Sequence, residues 1–212
     1  MPAFDPACRR CPRLAGFLDD IRGRYPDYHA APVPAFGARQ PQLLIVGLAP
    51  GMHGANRSGR PFTGDYAGVL LYQTLHKFGF ASRPESVSAD DGLELHNCRI
   101  TNAVKCLPPE NKPTNSEIIA CNDFLSTELN ALESGAVILA LGGIAHKAIL
   151  RAQNLKQAAY PFGHAVEYTL DRQLTLLSSY HCSRYNTQTG RLTTEMFEAV
   201  MARAKAIIAD GR

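Results

Sequence analysis

The fold is decided by the stretch QLLIVGLAPGMHGANRSGRPFTGD, residues 42–65. Its first part, residues 42–48, is a run of Leu, Ile and Val that closes on glycine, which is typical of a strand buried on both faces in a parallel sheet. The glycine-rich remainder, residues 47–65, reads as a long loop that follows the strand and opens a helix. A strand, a loop and a helix in this order begin a βαβ unit, so the stretch predicts an α/β protein.

Further apolar runs repeat this pattern along the chain. Residues 99–104 and 136–142 are predicted strands, and residues 166–179 contain two more on either side of 171–173. Helices are predicted over residues 65–78, 114–132, 143–153 and 193–208. Strands that alternate with helices join through right-handed crossovers. The sequence therefore predicts a three-layer α/β/α sandwich with a central, mostly parallel four-stranded sheet.

Length and composition fit one globular domain. The 212 residues are 45% apolar and 19% charged, enough for a sizeable core and too few charges for a coiled coil. The net charge of +3 permits a polyanionic partner without identifying one. No apolar stretch suits a signal peptide or a membrane span. We expect a cytoplasmic protein with one domain over residues 1–212, in which residues 1–40 form a helical segment and a proline-rich connector.

The glycine-rich loop is the first candidate for chemistry. Glycines let backbone N–H groups approach a ligand, and the following helix start adds positive partial charge. The spacing matches neither the phosphate-binding loop nor the dinucleotide fingerprint, so it gives only weak support to a nucleotide enzyme. A plain connecting loop is the alternative. Asp65, at the start of the predicted helix, is either an N-cap or a functional carboxylate.

Two more polar motifs follow predicted strands. In TNAVKC, residues 101–106, the amide of Asn102 can read the edge of a base or hydrogen-bond a turn. In HCSRYN, residues 181–186, His181 can donate to a developing anion, and its polar neighbours can hold phosphate. Ligands of open α/β sheets bind beyond the carboxyl ends of the strands, where all three motifs lie.

The six cysteines suggest a metal site, because disulfides are rare in the cytoplasm. Cys98 reads as a core thiol, and Cys182 lies next to His181. The other four form two spaced pairs that suit a four-sulfur site for zinc or a [4Fe–4S] cluster, with buried thiols as the alternative. These pairs are Cys8 with Cys11 and Cys106 with Cys121.

Together, the three motifs and the two cysteine pairs resemble the uracil-DNA glycosylase superfamily, and most closely its family five, an iron–sulfur-containing bacterial and archaeal group. The resemblance extends from Cys8 to about Met196. It implies a uracil-DNA glycosylase-like fold and a monofunctional enzyme that hydrolyses the N-glycosidic bond of uracil in DNA, leaving an abasic site. It also implies activity on other deaminated bases such as hypoxanthine. DNA is then the partner, no membrane is involved, and a monomer is expected.

The resemblance assigns roles residue by residue. The catalytic pair is Asp65 and His181; Leu48 stands where other families carry an acid, which leaves that role to Asp65. The base pocket is formed by Gly47, Leu48, Ala49, Gly51, Phe62 and Asn102, with Phe62 stacking on the flipped base. DNA contacts are expected from Arg57, Arg60, Ser183, Arg184 and Asn186, with Lys105 and Lys112 as further phosphate contacts. A structural [4Fe–4S] cluster, with zinc as the less favoured occupant, is held by Cys8, Cys11, Cys106 and Cys121.

Two positions depart from the family pattern. Gly51 stands where family five usually has alanine, and is similar to family four. Cys182 replaces the proline that usually follows the motif histidine. These departures motivate an alternative: a catalytically weak iron–sulfur protein that binds uracil-containing or abasic DNA.

Overall fold

The computed structural model describes residues 4–210, which build a sheet between two layers of helices. The sheet has six strands in the order β1-β3-β2-β4-β6-β5. The four inner strands are parallel, and both edge strands are antiparallel to their neighbours. The strands are β1 Phe36–Gly37, β2 Leu43–Gly47, β3 Cys98–Asn102, β4 Val137–Leu141, β5 Glu167–Thr169 and β6 Thr175–Ser179.

Helices connect the strands and cover both faces of the sheet. They are α1 Pro12–Arg24, α2 Ala55–Ser58, α3 Tyr66–Lys77, α4 Asn115–Asn130, α5 Gly143–Ala152, α6 Arg184–Gln188 and α7 Thr194–Asp210. Short 3-10 turns occur at Pro109–Asn111, Gln157–Ala159 and Asp171–Gln173. Within residues 4–210, none of these helices combines the length and the hydropathy that a membrane crossing requires.

The predicted α/β/α fold is confirmed, and the strand count differs at the edges. The four central parallel strands are the expected ones, and β5 is the first of the two strands predicted within residues 166–179; with β1, which was not predicted, the sheet has six strands instead of four. Strand β1 has two residues and lies within the stretch predicted to be a connector. A strand of two residues leaves no periodic pattern in the sequence, which is why it was missed.

Burial on both faces explains the unbroken apolar runs. Along β2, Leu43 and Ile45 pack in a cluster with side chains of α3 and α7. Leu44 and Val46 pack with α4 and α5 on the opposite face. Because successive side chains of a strand point to opposite faces, each residue of a strand covered on both faces meets a core layer, which favours apolar side chains.

The start of α4 is held by two reciprocal side-chain hydrogen bonds. The Thr114 hydroxyl accepts from the backbone N–H of Glu117 at 3.3 Å, and the Glu117 carboxylate accepts from the Thr114 N–H at 2.7 Å. This reciprocal capping box fixes where the helix begins. The Arg13 guanidinium also binds Glu117, at 2.7 Å, and so joins α1 to α4.

Candidate active site

A cavity of about 390 Å³ opens beyond the carboxyl ends of the parallel strands. It brings together all three polar motifs, as expected for an open α/β sheet. The predicted residues that line it are Leu48, Ala49, Gly51, Phe62, Asp65, Asn102, His181, Ser183 and Arg184. Three lining residues were missed from the sequence: Tyr66, Ala67 and Asn111.

Asp65 precedes α3 but does not cap it. Its side chain makes no capping hydrogen bond to that helix. Its Oδ2 instead accepts from the backbone N–H of Ala55, at the start of α2, at 3.2 Å. A Cβ on Gly51 or Gly54 would lie 2.5 or 1.8 Å from Oδ1, so the carboxylate packs directly against the glycine-rich loop. Burial raises the pKa of Asp65, and the Ala55 hydrogen bond opposes part of that rise.

Phe62 lies on the cavity wall with little of its surface exposed. Its ring and that of His181 are 6.0 Å apart between centroids and inclined by 29°. Gly47, at the end of β2, leaves room for the ring, because a Cβ there would lie 2.6 Å from its Cζ. The Phe62 backbone has φ +56°, a left-handed conformation that a bulky residue rarely adopts.

Asn102 is the last residue of β3, and its side chain carries an unpaired polar atom. The residue is 3% exposed, and its Oδ1 has no hydrogen-bond partner among the described residues. An unpaired buried polar group is costly unless a ligand or water satisfies it. A Cβ on Gly47 would lie 2.4 Å from this Oδ1 atom. The amide therefore fits at this position because residue 47 has no side chain.

His181 follows β6 and carries a neutral ring at physiological pH. Burial lowers its pKa to about 4. A neutral imidazole keeps one N–H that can donate to an oxygen in the cavity. The backbone carbonyl of His181 accepts from the side-chain amide of Asn186 at 2.8 Å. This bond connects the segment after β6 to α6. The neighbouring Cys182 is fully buried, and burial raises the pKa of its thiol to about 12.

The cationic residues expected to contact DNA fall into two groups. Arg184 is exposed at the cavity edge, with its guanidinium 4.9 Å from the centre of the Tyr66 ring, and Arg57 is exposed on α2. Arg60, in contrast, is 4% exposed and binds the Asp91 carboxylate through two hydrogen bonds of 2.9 and 2.6 Å. Its guanidinium is therefore occupied inside the protein and is not placed to meet phosphate.

Two of the other predicted polar contacts, Lys105 and Ser183, also have internal roles. Lys105 is 1% exposed and pairs with Glu128 at 2.9 Å, whereas Lys112 is exposed. Ser183 caps α6 by accepting from the N–H of Asn186 at 3.4 Å, and it also lines the cavity. The sequence patterns did not reveal the acidic partners of the two buried cations, because those partners lie 31 and 23 residues away.

The four cysteines of the two spaced sequence pairs, all with free thiols, line a second, separate cavity. Cys8, Cys11, Cys106 and Cys121 all line it. Burial, together with the neighbouring thiols, raises the pKa of Cys106 to about 12. The remaining thiol, Cys98, is fully buried in the core, as predicted. Residues 4–210 contain no group of three or more His, Cys, Asp or Glu side chains arranged to hold a single metal ion.

Comparison with known proteins gives consistent similarities. Residues 34–205 match the profile of the Uracil DNA glycosylase superfamily. The chain is 48% identical to a type-5 uracil-DNA glycosylase of Thermus thermophilus, with 95% of this chain and 94% of the relative covered. A type-5 uracil-DNA glycosylase of Mycobacterium leprae is 42% identical, with coverage of 94% and 91%. A type-4 uracil-DNA glycosylase of Archaeoglobus fulgidus is 29% identical, with coverage of 82% and 76%.

Proposed function

The chain belongs to the uracil DNA glycosylase superfamily, and we propose that it hydrolyses the N-glycosidic bond of uracil in DNA, leaving an abasic site. The observation that carries this proposal is the unpaired Oδ1 of Asn102 in the same cavity as Phe62, Asp65 and His181. That cavity offers an aromatic surface, a buried amide, a carboxylate and a neutral imidazole. These are the groups needed to hold a base and to cleave it from its sugar.

The base is held through stacking and its hydrogen-bonding edge. A glycosylase must flip the nucleotide out of the duplex, because the reacting bond is inaccessible in the stack. Phe62 supplies the stacking surface, and a base–aromatic stack contributes about 1–3 kcal/mol. The Asn102 amide pairs with the edge of uracil, and its unpaired oxygen accepts from the uracil N–H. The proposal thereby gives this buried oxygen its missing partner.

Cleavage places charge at both ends of the breaking bond. The bond between C1′ and the base nitrogen breaks with its electron pair, so negative charge develops on the base and positive charge on the sugar. The N–H of neutral His181 donates to the base oxygen as that charge forms. Asp65 stabilises the sugar cation and accepts a proton from the water whose oxygen bonds to C1′. The departing base finally takes up that proton.

The proposed substrate range includes other deaminated bases such as hypoxanthine. A cavity of about 390 Å³ lies in the size range of sites for drug-sized ligands, so a bicyclic base is sterically acceptable. Asn111 and Tyr66 are additional polar side chains on its wall. We propose that the protein acts as a monomer on DNA in the cytoplasm, with Arg57, Ser183, Arg184 and Asn186 near the strand.

We also propose that the four paired cysteines hold a structural [4Fe–4S] cluster. Their chemistry fits, since four cysteine thiolates are the usual ligands of such a cluster and all four line one cavity. Zinc is the alternative occupant of a four-sulfur site. The cluster would join α1, the segment after β3 and α4, and no step of the hydrolysis needs it.

A strand-cleavage assay tests the proposed activity. A fluorescent oligonucleotide with uracil opposite guanine is incubated with the purified protein and treated with alkali, and a parallel substrate contains hypoxanthine. Cleavage at the uracil is expected; cleavage at hypoxanthine tests the wider range separately. Binding to uracil or abasic DNA without any cleavage would instead support the DNA-binding alternative and overturn the proposed hydrolysis.

A further inference from the structure

We propose that Tyr72 is a positioning residue for Phe62: its hydroxyl holds the preceding carbonyl so that Phe62 keeps the left-handed backbone that places its ring on the cavity wall. The inference rests on the proposed function, because it takes Phe62 as the surface on which the base stacks. Gly68 and the Arg60–Asp91 pair complete the arrangement.

The backbone of Phe62 needs an explanation. Its φ of +56° lies in a region where the Cβ of a bulky residue is crowded by its own backbone. Residues persist in such conformations only where the surrounding structure holds them, and they are frequent at ligand sites. The contacts on either side of Phe62 must therefore fix its backbone.

The Tyr72 hydroxyl fixes the residue before Phe62. It donates to the carbonyl oxygen of Pro61 at 2.8 Å. Tyr72 lies on α3 and is 1% exposed, so water does not compete for this bond. Burial raises the pKa of Tyr72 to about 12, and the hydroxyl remains a donor at neutral pH.

Gly68 fixes the carbonyl of Phe62 itself. A Cβ at Gly68 would lie 1.9 Å from the Phe62 carbonyl oxygen, which is backbone and cannot move aside like a flexible side chain. Helix α3 therefore approaches the Phe62 peptide as closely as a residue without a side chain allows. Any larger residue must push the Phe62 peptide away from the helix.

Arg60 fixes the residue after Phe62. The Thr63 hydroxyl accepts from Nε of Arg60 at 2.9 Å and shares a 2.6 Å hydrogen bond with the Ser86 hydroxyl. The guanidinium is in turn held by both oxygens of Asp91. Hydrogen bonds from Arg60 and from backbone N–H groups outweigh burial and keep the pKa of Asp91 well below its usual range. The buried arginine thus acts inside the protein as a support for the end of the glycine-rich loop, next to Phe62.

This arrangement predicts a specific kinetic signature. A preformed stacking surface binds the base equally in the ground state and the transition state. Loss of such binding raises KM and leaves kcat nearly unchanged. A variant that only weakened the fold would instead lower the amount of active enzyme, and with it the apparent kcat.

The test compares two tyrosines that make the same bond. Tyr72→Phe should raise KM for a uracil oligonucleotide about three- to tenfold, the effect of one lost buried hydrogen bond, with kcat within about twofold. Tyr168→Phe is the control, because its hydroxyl also donates to a proline carbonyl, that of Pro161, at 2.7 Å, in an exposed bond outside the cavity that Phe62 lines. Its KM should be unchanged. Gly68→Ala should repeat the Tyr72→Phe pattern.

Tyr72→Phe is also made in a protein that already carries Phe62→Gly, and this double variant shows whether Tyr72 acts through Phe62. Glycine adopts positive φ without strain, so Phe62→Gly removes both the ring and the need to hold it. Tyr72→Phe should then have no further effect on KM in the Phe62→Gly protein. A KM increase that persists in this background, or a fall in kcat with unchanged KM, overturns the proposal.

Crystal structures separate this proposal from the proposed function. If the parent protein releases no uracil from DNA, the proposed function fails, and the positioning role is decided by the structures of the parent and of Tyr72→Phe. Phe62 should lose its positive φ, or show two conformations, in the variant. An unchanged Phe62 backbone in Tyr72→Phe overturns the positioning role whether or not the parent is active.

Discussion

Asp65 and His181 share one cavity but have opposite shifts in pKa. Burial disfavours the charged form of both groups, so it raises the pKa of the Asp65 carboxyl and lowers that of the imidazole to about 4. The same physical cause thus keeps the histidine neutral and makes the carboxylate a better proton acceptor. Pairs of groups whose pKa values are moved apart are typical of acid–base assignments in enzymes.

The Asp65 assignment predicts a particular dependence on pH. Asp65→Asn should lower kcat for uracil release by about 10²- to 10⁴-fold, the usual contribution of general acid–base catalysis. In the parent, the active form is the carboxylate. Because its pKa is raised, protonation and loss of kcat should begin at a higher pH than the ordinary carboxyl value of 3.8 would give.

Single-turnover rates are measured between about pH 4 and 8, at roughly half-unit intervals. This range includes the usual carboxyl and histidine pKa values, so it records the acid limb, the fall in rate as Asp65 becomes protonated. His181→Gln serves as the control, since it should keep the carboxylate limb while lowering the overall rate. If the residual activity of Asp65→Asn shows the same acid limb as the parent, another group is responsible for it.

The Asp65 carboxylate lies between the starts of two helices and binds only one of them. Asp65 lies directly before α3, but it accepts its hydrogen bond from the first residue of α2. The glycine-rich loop makes this possible by bringing Gly51 and Gly54 against the carboxylate oxygens. The short α2 ends at Ser58, and the next residue, Gly59, caps it with a left-handed φ of +77°.

A single methyl group in this loop should disturb the carboxylate. In Gly54→Ala, the new Cβ would lie 1.8 Å from Oδ1 of Asp65, so the side chain must move. A displacement of about 1 Å can cost a factor of 10² in rate, and we expect kcat to fall by about 10- to 100-fold.

Gly16→Ala is the matched control, because nothing lies within 4 Å of its new Cβ and it falls inside α1. It should leave kcat unchanged and stabilise the protein by about 0.5–1 kcal/mol, as alanine does in a helix interior. Both variants are compared by steady-state kinetics and thermal unfolding. A Gly54→Ala protein with the parent kcat would show that the carboxylate position is unimportant.

Across the whole molecule, the cysteine site joins the amino-terminal segment to the sheet. Cys8 and Cys11 lie just before α1, Cys106 follows β3, and Cys121 lies on α4. The ion pair between Arg13 and Glu117 spans the same junction. A cluster at this site would therefore add its binding free energy to the stability of the fold.

Loss of a ligand should remove the cluster and lower the melting temperature. We expect the parent to be brown, with about four irons per chain, and Cys106→Ala to lose this iron and unfold at a lower temperature. Cys98→Ala is the control: this thiol is buried in the core on β3, so iron content should be retained. Iron and zinc analysis with thermal unfolding measures both. Stoichiometric zinc in the parent, or full iron content in Cys106→Ala, contradicts the proposed cluster.

Much of the cavity lining was predictable, because its residues lie in local motifs and these motifs carry the family resemblance. Phe62, Asp65, Asn102 and His181 belong to segments that follow strands, and parallel strands bring such segments to one edge. Asn111 and Tyr66 were missed because neither stands in a pattern that marks a site. Their place on the cavity wall depends on how a 3-10 turn and the start of α3 approach the sheet.

The sequence alone determined the parallel centre of the sheet, the helix boundaries near Thr114 and the order of the three motifs. These features depend on side-chain period and on capping between near neighbours, which are local in the chain. Only the tertiary structure decided that the Arg60 guanidinium is buried against Asp91, and that the Asp65 carboxylate binds the start of α2 instead of capping α3. The partners of both residues come from other segments, and burial and hydrogen bonding with such partners exist only in the folded chain.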